Sequence, residues 1–130
     1  MPEGPVVPMR VIETHHDGHG LTEISSIYAG EAGPGGAPDL YRIVVEDAGV
    51  KRVIEVQFQA GPRMEPGSKV GILESALLAI MADRMEGFNK GPYSCRENAI
   101  VLTKIQEAMH WLKHRADARA KRGVLGTAQK

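Results

Sequence analysis

Three imidazoles, His15, His16 and His19, fall within five residues of one another. Neutral histidines that close together can approach a single metal ion. These sit in a glycine-bearing stretch with no cysteine or carboxylate at a characteristic ligand spacing, so a solvated loop accounts for them and no metal is expected. Gly33 to Gly36 is glycine-rich but lacks the Lys-Ser/Thr ending of a phosphate-binding P-loop, and it precedes a strand rather than a helix. Cys95 lies where a helix should begin, a place that favours a thiolate. No histidine is positioned by sequence to serve it, and a structural role is the better reading. No catalytic residue and no cofactor are predicted.

The basic end of the chain is more informative. Arg115 and Arg119 are four residues apart and share a helix face, and Arg122 follows within a turn. Cations are favoured at a helix C-terminus by the dipole alone. Arginine is also the residue suited to bidentate phosphate binding, and three in two turns could grip a diphosphate. Phe88 and Asn98 flank a turn between two helices, where a flat ring and an amide could stack on and edge a nucleobase. Plugging the end of a helical hairpin is an alternative role for Phe88. Asn98 and Arg115 are separated by about 25 Å along one helix, too far for one small ligand to touch both within a single chain. A pocket using both must lie between two antiparallel chains, so binding predicts a two-fold dimer with two such pockets.

The elements that hold these residues divide near Pro66 and Gly67. Before that point Leu21–Tyr28, Tyr41–Glu46 and Arg52–Phe58 read as strands rich in Ile, Val and Tyr. Asp47, Ala48 and Gly49 form the expected hairpin turn. A further short strand is expected around Val11 and Ile12, and Gly30 to Pro38 reads as a tight loop on the sheet rim. Ile54, Val56 and Phe58 share one strand face and should lie on the core. After the division, spacings of three and four predict a helix from Ile72 to Phe88, stopped by Gly91 and Pro92. Ser94 to Glu97 reads as a capping box. Val101, Ile105, Ala108 and Leu112 then make an apolar seam, with Leu102 and Met109 beside it. Gly123 ends that helix, and the short turn makes the pair antiparallel. The expected class is α+β: a small antiparallel β-sheet (1–66), then a two-helix antiparallel hairpin (67–130) dimerising through the helices, as one domain overall.

Composition bounds the rest. In 130 residues, 42% hydrophobic and 25% charged content suit one globular domain. Lys plus Arg and Asp plus Glu are both 16, a formal net charge of zero that argues against broad binding to duplex nucleic acid. No apolar run reaches the roughly 20 residues of a membrane span. The first ten residues lack the apolar stretch of a signal peptide, and the single cysteine suits a reducing cytosol. A soluble, intracellular protein is expected.

Phe58 through Thr127 resembles the helical hairpin shared by two phage sponge families, the Thoeris anti-defence sponges and the anti-CBASS sponges. The stretches that carry the resemblance are Phe58 to Pro62, Ala76 to Ile80, Asp83-Arg84, Gly91 to Ala99, Leu102 to Lys104, Trp111-Leu112, His114-Arg115, Arg122 to Val124 and Gly126-Thr127. The β-rich first half, with Gly35-Gly36-Ala37 and the following Tyr-x-Ile, is similar to the Thoeris type. That resemblance implies a homodimer, or a trimer of dimers, in the cytoplasm of an infected bacterial host. It implies sequestration of a cyclic ADP-ribose-type messenger, glycocyclic ADP-ribose, without turnover. Phe88 and Asn98 would pack on adenine and Arg115 and Arg119 would engage phosphates, with Arg63 a further contact. Arg122, Gly126 and Thr127 would form a second pocket for cyclic di- or trinucleotides. Two rivals use the same residues: a nuclease that hydrolyses the messenger with His110 or His114 as acid/base, and a structural or DNA-associated phage protein with a phosphate-binding helix end.

Overall fold

The computed structural model describes residues 8–18 and 24–128. Its elements run β1 (Arg10–Val11), β2 (Ser25–Ala29), β3 (Leu40–Asp47), β4 (Val50–Gln57), α1 (Glu74–Lys90) and α2 (Arg96–Lys121). The class is α+β, as the sequence predicts: an antiparallel sheet followed by two helices. The chain divides into two compact units, Met1–Ala60 and Gly61–Lys130.

The first unit is one four-stranded sheet in the order β1-β2-β3-β4, each neighbour antiparallel. β-branched residues make β3 and β4 rigid, pleated partners, and all eight residues of one pair with all eight of the other, from Leu40 opposite Gln57 to Asp47 opposite Val50. The turn between them is two residues long, with Ala48 at φ 52° and Gly49 at φ 80°. Two positive φ values are what a turn matched to the strand twist requires. The expected loop on the rim folds back through Gly33 N–H to Ala37 O (2.9 Å) and an Ala32–Pro38 bridge. Of the expected Leu21–Tyr28 strand, 21–23 lie outside the described residues, and β2 starts at Ser25.

One expectation about this sheet fails. Ile54 is 48% exposed and so is not core, and Val53 on the opposite face is 52% exposed. Among the described residues the unit is a single sheet layer, and near the β3–β4 turn side chains on both faces are exposed, so alternation there does not separate inside from outside.

The second unit is a helical hairpin. Leu73 caps α1 without a side-chain hydrogen bond, and Gly91 closes it by donating to Phe88 O at 3.2 Å. The helix therefore sits two residues later than the spacing predicts. α2 likewise begins one residue later than the expected capping box. Cys95 is the N-cap, its sulfur accepting from Asn98 N–H at 3.4 Å, and Ser94 lies outside the helix. The seam also shifts. The half-buried positions of α2 are Asn98, Leu102, Ile105, Met109, Leu112, Ala116 and Arg119, alternating steps of four and three, while Val101 and Ala108 are exposed. That is the heptad spacing of an antiparallel helix pair, facing an α1 stripe that contains the buried Ala82 and Met85. Ser94 and Val101 suit those positions by type; the start of the helix fixes the phase of every side chain after it.

Candidate nucleotide site

The proposed ligand residues fall at the two ends of the hairpin. At the turn end, Phe88 is half-buried in the last turns of α1, with the Arg84 guanidinium carbon 5.0 Å from its ring centroid. Cation and ring are one turn apart, so helix spacing makes the contact. Asn98 occupies the first turn of α2, where its amide nitrogen donates to Tyr93 O at 3.2 Å. That bond closes the loop from Gly91 to Cys95 and holds the side chain at the helix mouth. Arg84 and Tyr93 were not singled out in the sequence; the i, i+4 relation of Arg84 to Phe88 was the available signal.

The other end is cationic. Arg115 is exposed and forms no hydrogen bond or ion pair among the described residues. Lys113, two positions earlier, is paired with Asp117 at 2.7 Å. Arg119 behaves differently from Arg115. One of its terminal nitrogens donates to Val124 O (3.0 Å) and Thr127 O (3.1 Å), folding the segment after the helix back onto it. Thr127 strengthens that turn by donating its hydroxyl to Val124 O at 2.6 Å. Val124 is buried, at 7% exposure.

Arg63 and the tail are drawn together by the residue after Arg63. Met64 N–H donates to Gly126 O at 3.0 Å, and a Cβ on Gly126 would lie 3.0 Å from the Met64 side chain. Gly126 has φ 80°, so glycine fits both the backbone and the contact. Arg63 itself is exposed and donates to Gly71 O at 3.0 Å. Arg63, Arg119, Gly126 and Thr127 thus belong to one network, whereas Phe88 and Asn98 belong to another about 30 Å away along α2. Met64 had no sequence signal, because its role rests on a backbone bond.

The remaining candidates resolve individually. His15 Nε2 lies 2.8 Å from Ser25 Oγ, and that hydroxyl donates to Asp17 Oδ2 at 2.5 Å. The serine proton is committed to the carboxylate rather than to imidazole, the opposite of nucleophile activation. Asp17 also accepts from the Ile24 and Ser25 amides, so the group anchors the loop to β2. His19 lies outside the described residues, among which no group of three His, Cys, Asp or Glu could hold a metal ion. Trp111 is 64% exposed between His110 and His114, whose rings meet it edge-on at 5.5 and 5.4 Å. His114 also lines an open depression with Asp117, Ala118 and Lys121.

A small antiparallel sheet joined to an antiparallel helical hairpin, with an aromatic-amide end and an arginine end, defines a class of α+β hairpin protein. The chain belongs to the Acb2/Tad1 hairpin-domain family, whose model matches residues 51–116, half its length. It is also similar to "Thoeris anti-defense 1" of Bacillus phage SBSphiJ7, 38% identical over 89 residues, 68% of this chain. The match spans 61% of that relative's length. The hairpin resemblance read from Phe58 to Thr127 therefore holds at the level of family.

Proposed function

We propose that this chain is a phage anti-defence protein that captures a cyclic ADP-ribose-type nucleotide, glycocyclic ADP-ribose, in the cytoplasm of the infected host and releases it unchanged. The carrying observation is Arg115, an exposed arginine without a partner among the described residues, on the helix whose other end presents Asn98. An unpaired guanidinium offers its full set of donors to a phosphate. Arg119 and Arg63 would add donors beside it, and Phe88 with Asn98 would take the base. Kinship with a phage protein named for Thoeris anti-defence supports the same reading.

Because those two groups stand about 25 Å apart, the pocket is formed by two chains running antiparallel. The helices supply a surface for that pairing. No residue of α2 is buried, and Leu73, Ile80, Met81, Ile100, Val101 and Trp111 are all exposed. They are about half exposed, so covering each would contribute roughly half of the 1.5–3 kcal/mol for a full burial, which favours a two-fold homodimer and would leave room for a trimer of such dimers. Arg122, Gly126 and Thr127 would offer a second pocket for cyclic di- or trinucleotides where dimers meet. Enclosure between chains slows release, which is what sequestration needs in place of a catalytic group. No helix among the described residues is long and apolar enough to cross a membrane.

The test is titration calorimetry with glycocyclic ADP-ribose, followed by denaturation and chromatography of the ligand. Sequestration predicts one bound nucleotide per chain, recovered intact. A changed nucleotide would instead establish the nuclease that His110 or His114 could serve. Absent heat, with steeply salt-dependent binding of oligonucleotides, would establish a phosphate-binding structural protein.

A further inference from the structure

Among the described residues β4 is the outer strand of its sheet. The ladder fixes which of its backbone groups face outward. Phe58 N–H donates to Asp39 O at 2.7 Å, so position 58 turns its polar groups toward β3. That orientation alternates along an antiparallel pair. Arg52, Ile54 and Val56 therefore bond inward, while Lys51, Val53, Glu55 and Gln57 aim N–H and C=O away from the sheet. Such a row is a template for another strand unless a proline, a bulge or repelling charge blunts it. β4 contains no proline, and its one-to-one register with β3 contains no bulge. Exposed apolar side chains stand on each of its faces among the charges of Lys51, Arg52 and Glu55, with Val50 56% and Ile54 48% exposed on one face and Val53 52% on the other.

We propose that β4 is a self-association surface, on which two copies of the chain pair edge to edge, antiparallel, about a two-fold axis at Val53. Charge selects this register. A two-fold axis through the sheet sets each residue opposite one from the same strand face. Centring on Lys51, Arg52 or Glu55 puts a charge against its own copy, which is unfavourable. Centring on Ile54 sets Lys51 against Gln57 and Val53 against Glu55, matching no charge. Centring on Val53 sets Lys51 against the partner's Glu55 twice and Val50 against the partner's Val56 twice. Lys51 has no ion-pair partner among the described residues, and the Glu55 carboxylate, 49% exposed, is approached only by Arg42 at 2.7 Å. The product is a continuous eight-stranded sheet. This surface is formed by β4 of the first unit, whereas the proposed nucleotide-binding dimer uses the helices of the second. Two different two-fold interfaces on one chain generate assemblies larger than a dimer.

Sedimentation of the full chain tests the pairing. Val53→Pro removes the outward N–H at the axis without touching a bond to β3, and should at least halve the mass. Lys51→Glu should do the same by opposing like charges, and Lys51→Glu with Glu55→Lys should restore the wild-type mass. In a Cys95→Ser background, Val53→Cys should oxidise to a linked dimer, since opposed Cα atoms stand about 5.5 Å apart. Val50→Cys, roughly 20 Å from its own copy in this register, should not. Equal masses for wild type, Val53→Pro and Lys51→Glu, or equal cross-linking at both cysteines, would overturn the proposal. Nucleotide titration of Val53→Pro keeps the two readings separate, because that variant should bind as wild type does.

Discussion

The molecule contains two hairpins, one of strands and one of helices, and they differ in what they leave unsatisfied. In the β3–β4 hairpin every strand position has a cross-strand partner, and Arg42 is matched to Glu55 at 2.7 Å, while Lys51 and Arg52 on the exposed outer strand have no ion-pair partner among the described residues. In the α1–α2 hairpin the longer helix buries none of its residues, and Arg115 has no partner among the described residues. Backbone pairing completes the first internally, except along one edge. The second is held by a single apolar seam, which leaves the rest of each helix for other contacts. On the proposed function, capture of an anion falls to the helical hairpin and the sheet serves as framework.

Arg115→Ala is the strongest way to break that contrast. Losing charge-assisted bonds to a phosphate costs about 1.5–3 kcal/mol, so affinity for the nucleotide should fall by about 10- to 150-fold. The thermal midpoint should hold, because the side chain supports nothing in the fold. Unchanged affinity by calorimetry would return the arginine to the role of a helix-end cation. Arg42→Ala, the matching change in the sheet, should leave binding untouched.

Arg119→Ala sharpens the distinction between two arginines one turn apart. Its bonds to Val124 O and Thr127 O hold the tail, so stability should drop by about 1–2 kcal/mol, at the low end for charged hydrogen bonds because water reaches the site. Urea unfolding followed by circular dichroism reads that loss. If binding fell while the unfolding midpoint stayed put, Arg119 would be a ligand contact rather than a clasp.

These expectations also mark how much the sequence discloses. The β3–β4 hairpin, its turn at Ala48-Gly49 and the helical pair all follow from period and turn chemistry, which are local. The family resemblance is local too, carried by runs such as Cys95 to Ala99. Phase was harder. Ser94 and Glu97 have the right types for a cap, yet Cys95 takes the position, and the one-residue shift moves Val101 and Ala108 out of the seam. The difference between Arg115 and Arg119 is invisible in sequence, because it depends on a tail that returns through Gly126 to Met64. Ile54 misleads for a related reason: alternation identifies faces, but only a covering layer makes one of them a core.

Cys95→Ser asks whether the helical hairpin is as tolerant at its turn as at its arginine end. Sulfur accepts weakly from Asn98 N–H at 3.4 Å, and serine is among the preferred N-caps. Stability should rise by about 0.5–1 kcal/mol, read as a thermal midpoint a few degrees higher. A lower midpoint would mean that the thiol packs against something its exposed position does not reveal.

A comparably small effect is expected in the other hairpin. Ala48 holds φ 52° in a two-residue turn, a conformation that costs a residue with an ordinary Cβ about 1–2 kcal/mol. Asparagine bears that region more easily and is the favoured first residue of such turns, ahead of glycine. Ala48→Asn should therefore stabilise the sheet by about 0.5–1 kcal/mol, with no change in nucleotide affinity. The gain should appear as slower amide exchange at Val44, Val45 and Arg52, beside the turn, and not in α2. Protection spreading to the helices would mean that the two hairpins unfold as one, and the division between framework and capture would be one of chemistry without being one of stability.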